Sequence, residues 1–506
     1  MRMVVNRTDT GQDRRGMRYG INLVGQAAGR GIYLLAGFAA FVMVAKVAGP
    51  VVLGHYGIAL AALAIALMAA DFGTTLTFAA RIGACEPDAR AAALAAMLSA
   101  RLILGAGTGL ALLCALPLLP APTRPALTLA ALAMPLVAAR FLDALFQVCG
   151  RPGWSAYPSL ANAAVLVVGT ALALSLDAPE AVLPLVAVAA GTAYGAIALV
   201  LAGRLVPLRV AALTDGLATI RGAAGVGVSN ALGTLNARIG LLALAAFAGA
   251  AEVGLFTAGY RFFELGVAVA ITLAAPLLPV FGRAVGAGTL PAQTRLALRL
   301  VLSVAGPGVI AAWVLADPLV RLLFGPDYAA SVPVLRIAAL MAAAMIAATI
   351  LFSALVALGR TGFAVPFSAA GCAVNAVLCL VLVPRAGATG AALAALAAEF
   401  AMLAVVVFAF RRSVGAPLLP RDWPAILVPT LAMATCVLAS PAALAPVALP
   451  AGALLALAGG LWLRPRDPLA GPSLTSPQFS SPQFSSRQLS SPQLSSPQLS
   501  SPEASS

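Results

Sequence analysis

Five arginines stand inside apolar runs long enough to cross a membrane: Arg30, Arg101, Arg140, Arg238 and Arg261. Four acids share those runs, Asp71, Asp143, Glu264 and Glu399. An arginine at the centre of a transmembrane helix costs roughly 2.5 to 3.5 kcal/mol on insertion scales, so each must face protein, water or a bound anion. The chemistry open to such a set is recognition of an anion. Guanidinium stays charged in a dry site, and its planar fork meets two phosphate oxygens at once. Spacing then sorts the set. Arg140 and Asp143 are three residues apart, as are Arg261 and Glu264, which puts each pair on one helix face as an ion pair. Arg101 and Arg140 fall near the ends of their helices and are expected to snorkel toward the surface. Arg30 and Arg238 have no acid within a turn. Each instead closes a polar stripe at i, i+4 and i+8, made of Asn22, Gln26 and Arg30 on one helix and Asn230, Thr234 and Arg238 on another. Two readings stay open for these arginines. In one they pair across helices with Glu399 or Asp71. In the other, Gln26, Arg30, Asn230, Arg238 and Arg261 line a wet cationic cavity built for an anion, while Glu264, Glu399 and Asp71 act as ion-pair partners or ion-coupling sites.

The elements that hold these groups must be membrane helices. Of the 506 residues, 61% are hydrophobic and 9% charged, against roughly 25% charged in a soluble globular chain. Mean hydropathy is +1.00. The fold class expected is an all-α polytopic membrane protein. Breaking the apolar runs at charge and Pro/Gly clusters gives about 14 transmembrane helices, at roughly 20–45, 51–72, 93–117, 126–147, 158–176, 181–203, 222–248, 253–280, 297–316, 331–358, 363–384, 388–410, 424–441 and 444–463. With the N-terminus cytoplasmic, basic residues on inner segments outnumber those on outer ones by about four to one, as the positive-inside rule requires. Both termini are then cytoplasmic. This topology accounts for much of the +14 net charge, and no basic patch interleaved with aromatics points to a nucleic-acid partner.

A repeat adds organisation. Residues 48–56 read AGPVVLGHY and residues 248–256 read AGAAEVGLF, and each opens a helix on the outer side. The offset pairs the first span with the seventh and the second with the eighth in one orientation, as in parallel six-helix repeats related by an axis along the membrane normal. The expected division, good to roughly a few residues, is a cytoplasmic tail over 1–19, an N-lobe over 20–210, a cytoplasmic linker over 211–221, a C-lobe over 222–412, two further helices over 413–465, and a disordered Ser/Pro/Gln-rich tail over 466–506. The tail repeats a five-residue unit typified by PQFSS and PQLSS. Its Pro and Ser content gives it neither a helix nor a core.

Reactive motifs are lacking. The six cysteines have no CxxC spacing and read as small packing residues. The single histidine, His55, opens a span near the outer surface, and the single lysine, Lys46, is followed by Val47, so no phosphate-binding GxxxxGK[ST] loop exists. No catalytic residue, metal or cofactor is expected, and the chain does not read as an enzyme.

Four segments resemble, in order, the bacterial lipid-linked oligosaccharide flippases, the Wzx-like polysaccharide transporters of the MOP/MATE superfamily. They are VAKVAGPVVLGHYGIALAALAIALMAADFGTTLTFAARIG, AAEVGLFTAGYRFFELGVAVAITLAAPLLPVFGRA, LFGPDYAASVPVLRIAAL and LVPRAGATGAALAALAAEFAMLAVVVFAFRR. The resemblance covers residues 20–412. Lys46 departs from it, standing where the family usually has arginine, and so does Arg238, where relatives often carry an acid. The resemblance implies a multi-pass protein of the bacterial inner membrane that flips undecaprenyl-diphosphate-linked oligosaccharide repeat units by alternating access. It also implies a lipid-linked oligosaccharide substrate, membrane lipids, and polysaccharide polymerase and chain-length proteins as partners. Related lipid II flippases hold the diphosphate with arginines of the first and eighth helices, to which Arg30 and Arg261 correspond. Two rival functions make different demands on the same residues. A MATE-type multidrug or cation exporter should line its cavity with carboxylates, where this chain has Arg30. A membrane polysaccharide polymerase or glycosyltransferase should show a DxD or a long periplasmic loop.

Overall fold

Glycine and proline, more than polarity, divide the longest helices of this protein. The computed structural model describes residues 9–84, 86 and 89–415, with side chains from Gly29 onward apart from four between residues 269 and 275. Every regular element among the described residues is helical: α1 (Asp9–Asp71), α2 (Thr74–Ala84), α3 (Ala89–Ala115), α4 (Arg124–Leu132), α5 (Met134–Val137), α6 (Leu142–Val148), α7 (Ala156–Ser175), α8 (Val182–Gly203), α9 (Leu213–Phe247), α10 (Ala250–Gly286), α11 (Leu290–Leu323), α12 (Val332–Ala357) and α13 (Ala364–Val414). Eight helical stretches among the described residues are long and apolar enough to cross a membrane, nine if the bent α4–α6 segment counts as one. The helices expected at 424–441 and 444–463, the tail from 466, and the side chains of Asn22 and Gln26 lie outside the described residues.

A straight helix of 63 residues would measure about 95 Å, roughly three times the hydrocarbon thickness. Gly49 breaks α1 with φ 79° and ψ 178°, a conformation that favours a residue without a β-carbon, and Pro50, which has no N–H to leave unbonded, opens the second limb. Gly249 takes φ 87° and ψ 175° before α10. The two halves of the sequence repeat thus share one backbone turn. Their helices also meet reciprocally: a β-carbon at Gly54 would collide with the carbonyl of Ala250, and one at Gly254 with the carbonyl of Pro50. Residues 54 and 250 map onto 254 and 50 at the offset of 200, the relation a two-fold axis between the two turns produces. At the same end the Tyr328 hydroxyl donates to the Ala45 carbonyl at 3.1 Å.

Gly387 (φ 50°, ψ −132°) divides α13 in the same way. The break leaves Ala388 N–H without a helical acceptor, and Glu252 of α10 takes it at 2.7 Å. Packing follows: α10 lies along α12, α9 along α13, and α1 along both α7 and α10.

The segment expected as one straight span over 126–147 is bent by 81° between α4 and α5. Pro135 fills the first turn of α5 and offers no N–H to α4, so the helix cannot continue through it. Residues Ala139–Phe141 then form a 3-10 turn before α6. Arg140 rides on this turn.

Arg101 does not snorkel. It is 3% exposed and pairs with Asp71 at the end of α1. It also donates to the Ala70 carbonyl at 2.9 Å and the Thr75 hydroxyl at 2.6 Å. Asp71 accepts in addition from Gly73 N–H at 3.1 Å and Thr75 N–H at 3.3 Å. The pair ties α1, α2 and α3 together. Hydrogen bonds on both partners offset much of its cost of desolvation, while the Arg101 Nε is buried with no hydrogen-bond partner among the described residues.

Candidate functional site

A cavity of about 240 Å³ opens between the two limbs of α1, the α5 region, α7, α8 and α10. Its polar wall holds Tyr33, Arg140, Asn162, Tyr194 and Arg261, and its apolar wall includes Phe41, Leu63 and Leu166. Arg261 enters from α10. One of its guanidinium nitrogens lies 3.5 Å from where a Gly37 β-carbon would stand, which places the side chain directly against α1 at Gly37. The guanidinium carbon then rests 5.1 Å from the centre of the Phe41 ring.

Glu264 is shared. Its Oε2 accepts from Arg261 at 2.5 Å and its Oε1 from Arg238 of α9 at 3.2 Å. Helical spacing brings Arg261 and Glu264 together, and the packing of α9 against α10 adds Arg238. One carboxylate between two guanidinium groups leaves a positive charge, carried into the cavity by Arg261.

Arg140 faces the same space from the opposite wall. Its guanidinium carbon lies 4.2 Å from the Tyr33 ring centre and 5.1 Å from that of Tyr194. The Tyr194 hydroxyl donates to Asp143 at 2.8 Å. Arg140 therefore belongs to the cavity and not to a snorkelling helix end, because the bend at Pro135 turns its segment inward. Arg30, exposed one turn before Tyr33, is within electrostatic reach of Asp143. Four arginines thus stand around two carboxylates, and of the four Arg140 and Arg261 line the cavity while Arg30 and Arg238 lie behind its wall.

The remaining candidates lie elsewhere. Asn230 is half-buried on α9 and is not part of the cavity wall. The buried polar contact of α9 is instead Asn236, whose carbonyl and side-chain oxygens accept from Asn375 at 2.8 and 3.0 Å. Asp71 is committed to Arg101. Glu399 is 6% exposed in α13 and forms no ion pair among the described residues. Sequence reasoning passed over Tyr33, Asn162 and Tyr194. An asparagine in the apolar run 158–176 was the one legible signal, since a carboxamide in hydrocarbon demands a partner.

Residues 23–285 match the family model described as polysaccharide biosynthesis protein. The chain belongs to that family. Its fold is also that of several solved transporters. The lipid II flippase MurJ in an inward closed conformation superposes with a TM-score of 0.69 at 13% identity, over 86% of this chain and 97% of that one. An inward-facing multidrug resistance MATE transporter of the MOP superfamily gives 0.57 at 17% identity, over 76% and 94%. A MOP superfamily transporter from Pyrococcus furiosus, titled for the reverse polarity of its binding pocket, gives 0.54 at 16%, over 79% and 95%. At these identities the likeness concerns fold. No curated protein matches by sequence. Within the polysaccharide biosynthesis family, this member is a multi-pass membrane protein whose described cavity is cationic and bordered by aromatic rings.

Proposed function

We propose that the protein flips undecaprenyl-diphosphate-linked oligosaccharide repeat units from the cytoplasmic to the periplasmic leaflet of the bacterial inner membrane. The observation that carries this reading is Arg261, which crosses from α10 past Gly37 into a cavity whose other walls come from the first half of the chain. A diphosphate held there touches both halves of the repeat. Its binding is then sensitive to their relative position, which is the requirement for alternating access. The N-lobe (20–210) and C-lobe (222–412) are the moving parts in this reading, both termini are cytoplasmic, and polymerase and chain-length proteins act on the released product.

A drug exporter sharing the fold would bring a cation to Arg140 and Arg261, and like charges in a confined site repel it. The test is complementation of a strain lacking this gene. Arg261→Ala and Arg30→Ala are each expected to abolish export of surface polysaccharide while the protein stays in the membrane at normal amount. Full complementation by both variants overturns the diphosphate reading.

A further inference from the structure

The cavity offers more than a phosphate can use. A phosphate presents only acceptors, and Arg140 and Arg261 supply donors for it. Asn162, on α7, is different. It is 6% exposed and lines the cavity, and its Oδ1 is buried with no hydrogen-bond partner among the described residues. A buried acceptor left unbonded in a membrane bundle is costly, and although a phosphate could take the amide donors of a carboxamide, it could not satisfy the amide oxygen. The group that meets it must donate.

The surrounding wall has the same character. The Arg140 guanidinium carbon lies 4.2 Å from the Tyr33 ring centre and 5.1 Å from that of Tyr194, so two aromatic rings border this donor. The Tyr194 hydroxyl is already given to Asp143. What remains is a guanidinium donor, a free acceptor and aromatic rings within one cavity.

We propose that Asn162, with Arg140 and Tyr33, forms a sugar subsite that reads a hydroxyl or acetamido N–H of the residue attached to the diphosphate. Asn162 is then the specificity-determining residue that separates a glycosylated carrier lipid from the bare one. This rests on the diphosphate reading above and adds to it a second contact beyond the phosphates. An acceptor beside donors is the pattern a hydroxyl satisfies, since it gives one hydrogen bond and receives others. A site with a buried unpaired polar group also rejects ligands lacking the matching donor.

The experiment uses full-length protein in nanodiscs. Binding is measured by native mass spectrometry to undecaprenyl diphosphate and to the same lipid carrying one hexose or one N-acetylhexosamine. Wild type is expected to bind a glycosylated form about tenfold tighter than the bare lipid. Asn162→Leu is expected to bring the affinities for the glycosylated and the bare lipids together, and to melt no lower than wild type, since it removes an unbonded polar atom. Arg261→Ala is expected to weaken all three lipids alike. Two outcomes overturn the sugar subsite while leaving the diphosphate reading intact: no preference in wild type, or a preference that survives Asn162→Leu. Equal loss of all three lipids in Asn162→Leu, with a lowered melting temperature, assigns Asn162 to the scaffold and also overturns the subsite. Undiminished binding by Arg261→Ala, or no binding of any of the lipids by wild type, overturns the diphosphate reading and the subsite with it.

Discussion

Arg101 and Arg261 have the same side chain in similar apolar surroundings, and their neighbours give them opposite tasks. Around Arg101, Asp71, Ala70 and Thr75 take up the guanidinium, and the Phe141 ring covers it with its centre 5.0 Å away. No charge is left over for a ligand. Arg101→Ala should therefore act on stability: removing one partner of a buried pair costs about 3 to 5 kcal/mol. The lower end applies because Asp71 keeps its backbone donors and is a quarter exposed. A melting temperature in detergent equal to that of wild type would contradict this. Around Arg261, one carboxylate serves two cations, so under the proposed function its replacement should act on transport more than on folding. Glu399 is the third case. Of the three acids considered for coupling, Asp71 and Glu264 hold arginines and Glu399 holds none among the described residues. Glu399→Gln preserves shape, so it should leave the protein folded and remove any stimulation of flipping by a proton gradient in vesicles. Unchanged gradient dependence in that variant excludes Glu399 from coupling.

At the scale of elements, backbone punctuation sets the geometry. Gly49 and Gly249 place two helix starts in the same turn, and Gly54 and Gly254 let those helices approach until backbone touches backbone. The partner atoms are carbonyls and cannot rotate aside as a flexible side chain would. Gly54→Val and Gly254→Val should each force the halves apart at this end. The expected readout is a fall of several degrees in melting temperature and greater reactivity of a cysteine placed at Ala45 toward a water-soluble maleimide. Unaltered labelling and melting would show that this contact is not tight. The bend at Pro135 matters equally, because it turns the segment bearing Arg140 toward the cavity.

At the scale of the whole molecule, the two halves meet on either side of the cavity. The glycine contacts close one end. At the other, a β-carbon on Gly227 of α9 would collide with the carbonyl and ring of Phe72, and the Ser99 hydroxyl of α3 donates to the Ala211 carbonyl at 2.7 Å. An alternating-access cycle has to open each end in turn. Joining Phe72→Cys to Val226→Cys with a short, reducible bifunctional thiol reagent should stop polysaccharide export, and reduction should restore it. Export undiminished by the cross-link would rule out opening at this end.

The sequence by itself determined the class of the molecule, the positions of most helix breaks and the repeat. These depend on apolar run length, on glycine and proline, and on an offset of 200, all of which are local or periodic in the chain. It also singled out Arg261 and Glu264, because helical spacing places i and i+3 on one face. Only the tertiary structure decided which charges are spent and which remain. Asp71 meets Arg101 across 30 positions, Arg238 meets Glu264 across 26, and the Asn162 side-chain oxygen has no hydrogen-bond partner among the described residues. Such pairings depend on which helix faces pack together and on an 81° bend at one proline. An arginine whose charge is spent on an acid and an arginine that shares one acid with a second cation have the same letter in the sequence, and the difference is made by neighbours that are distant along the chain.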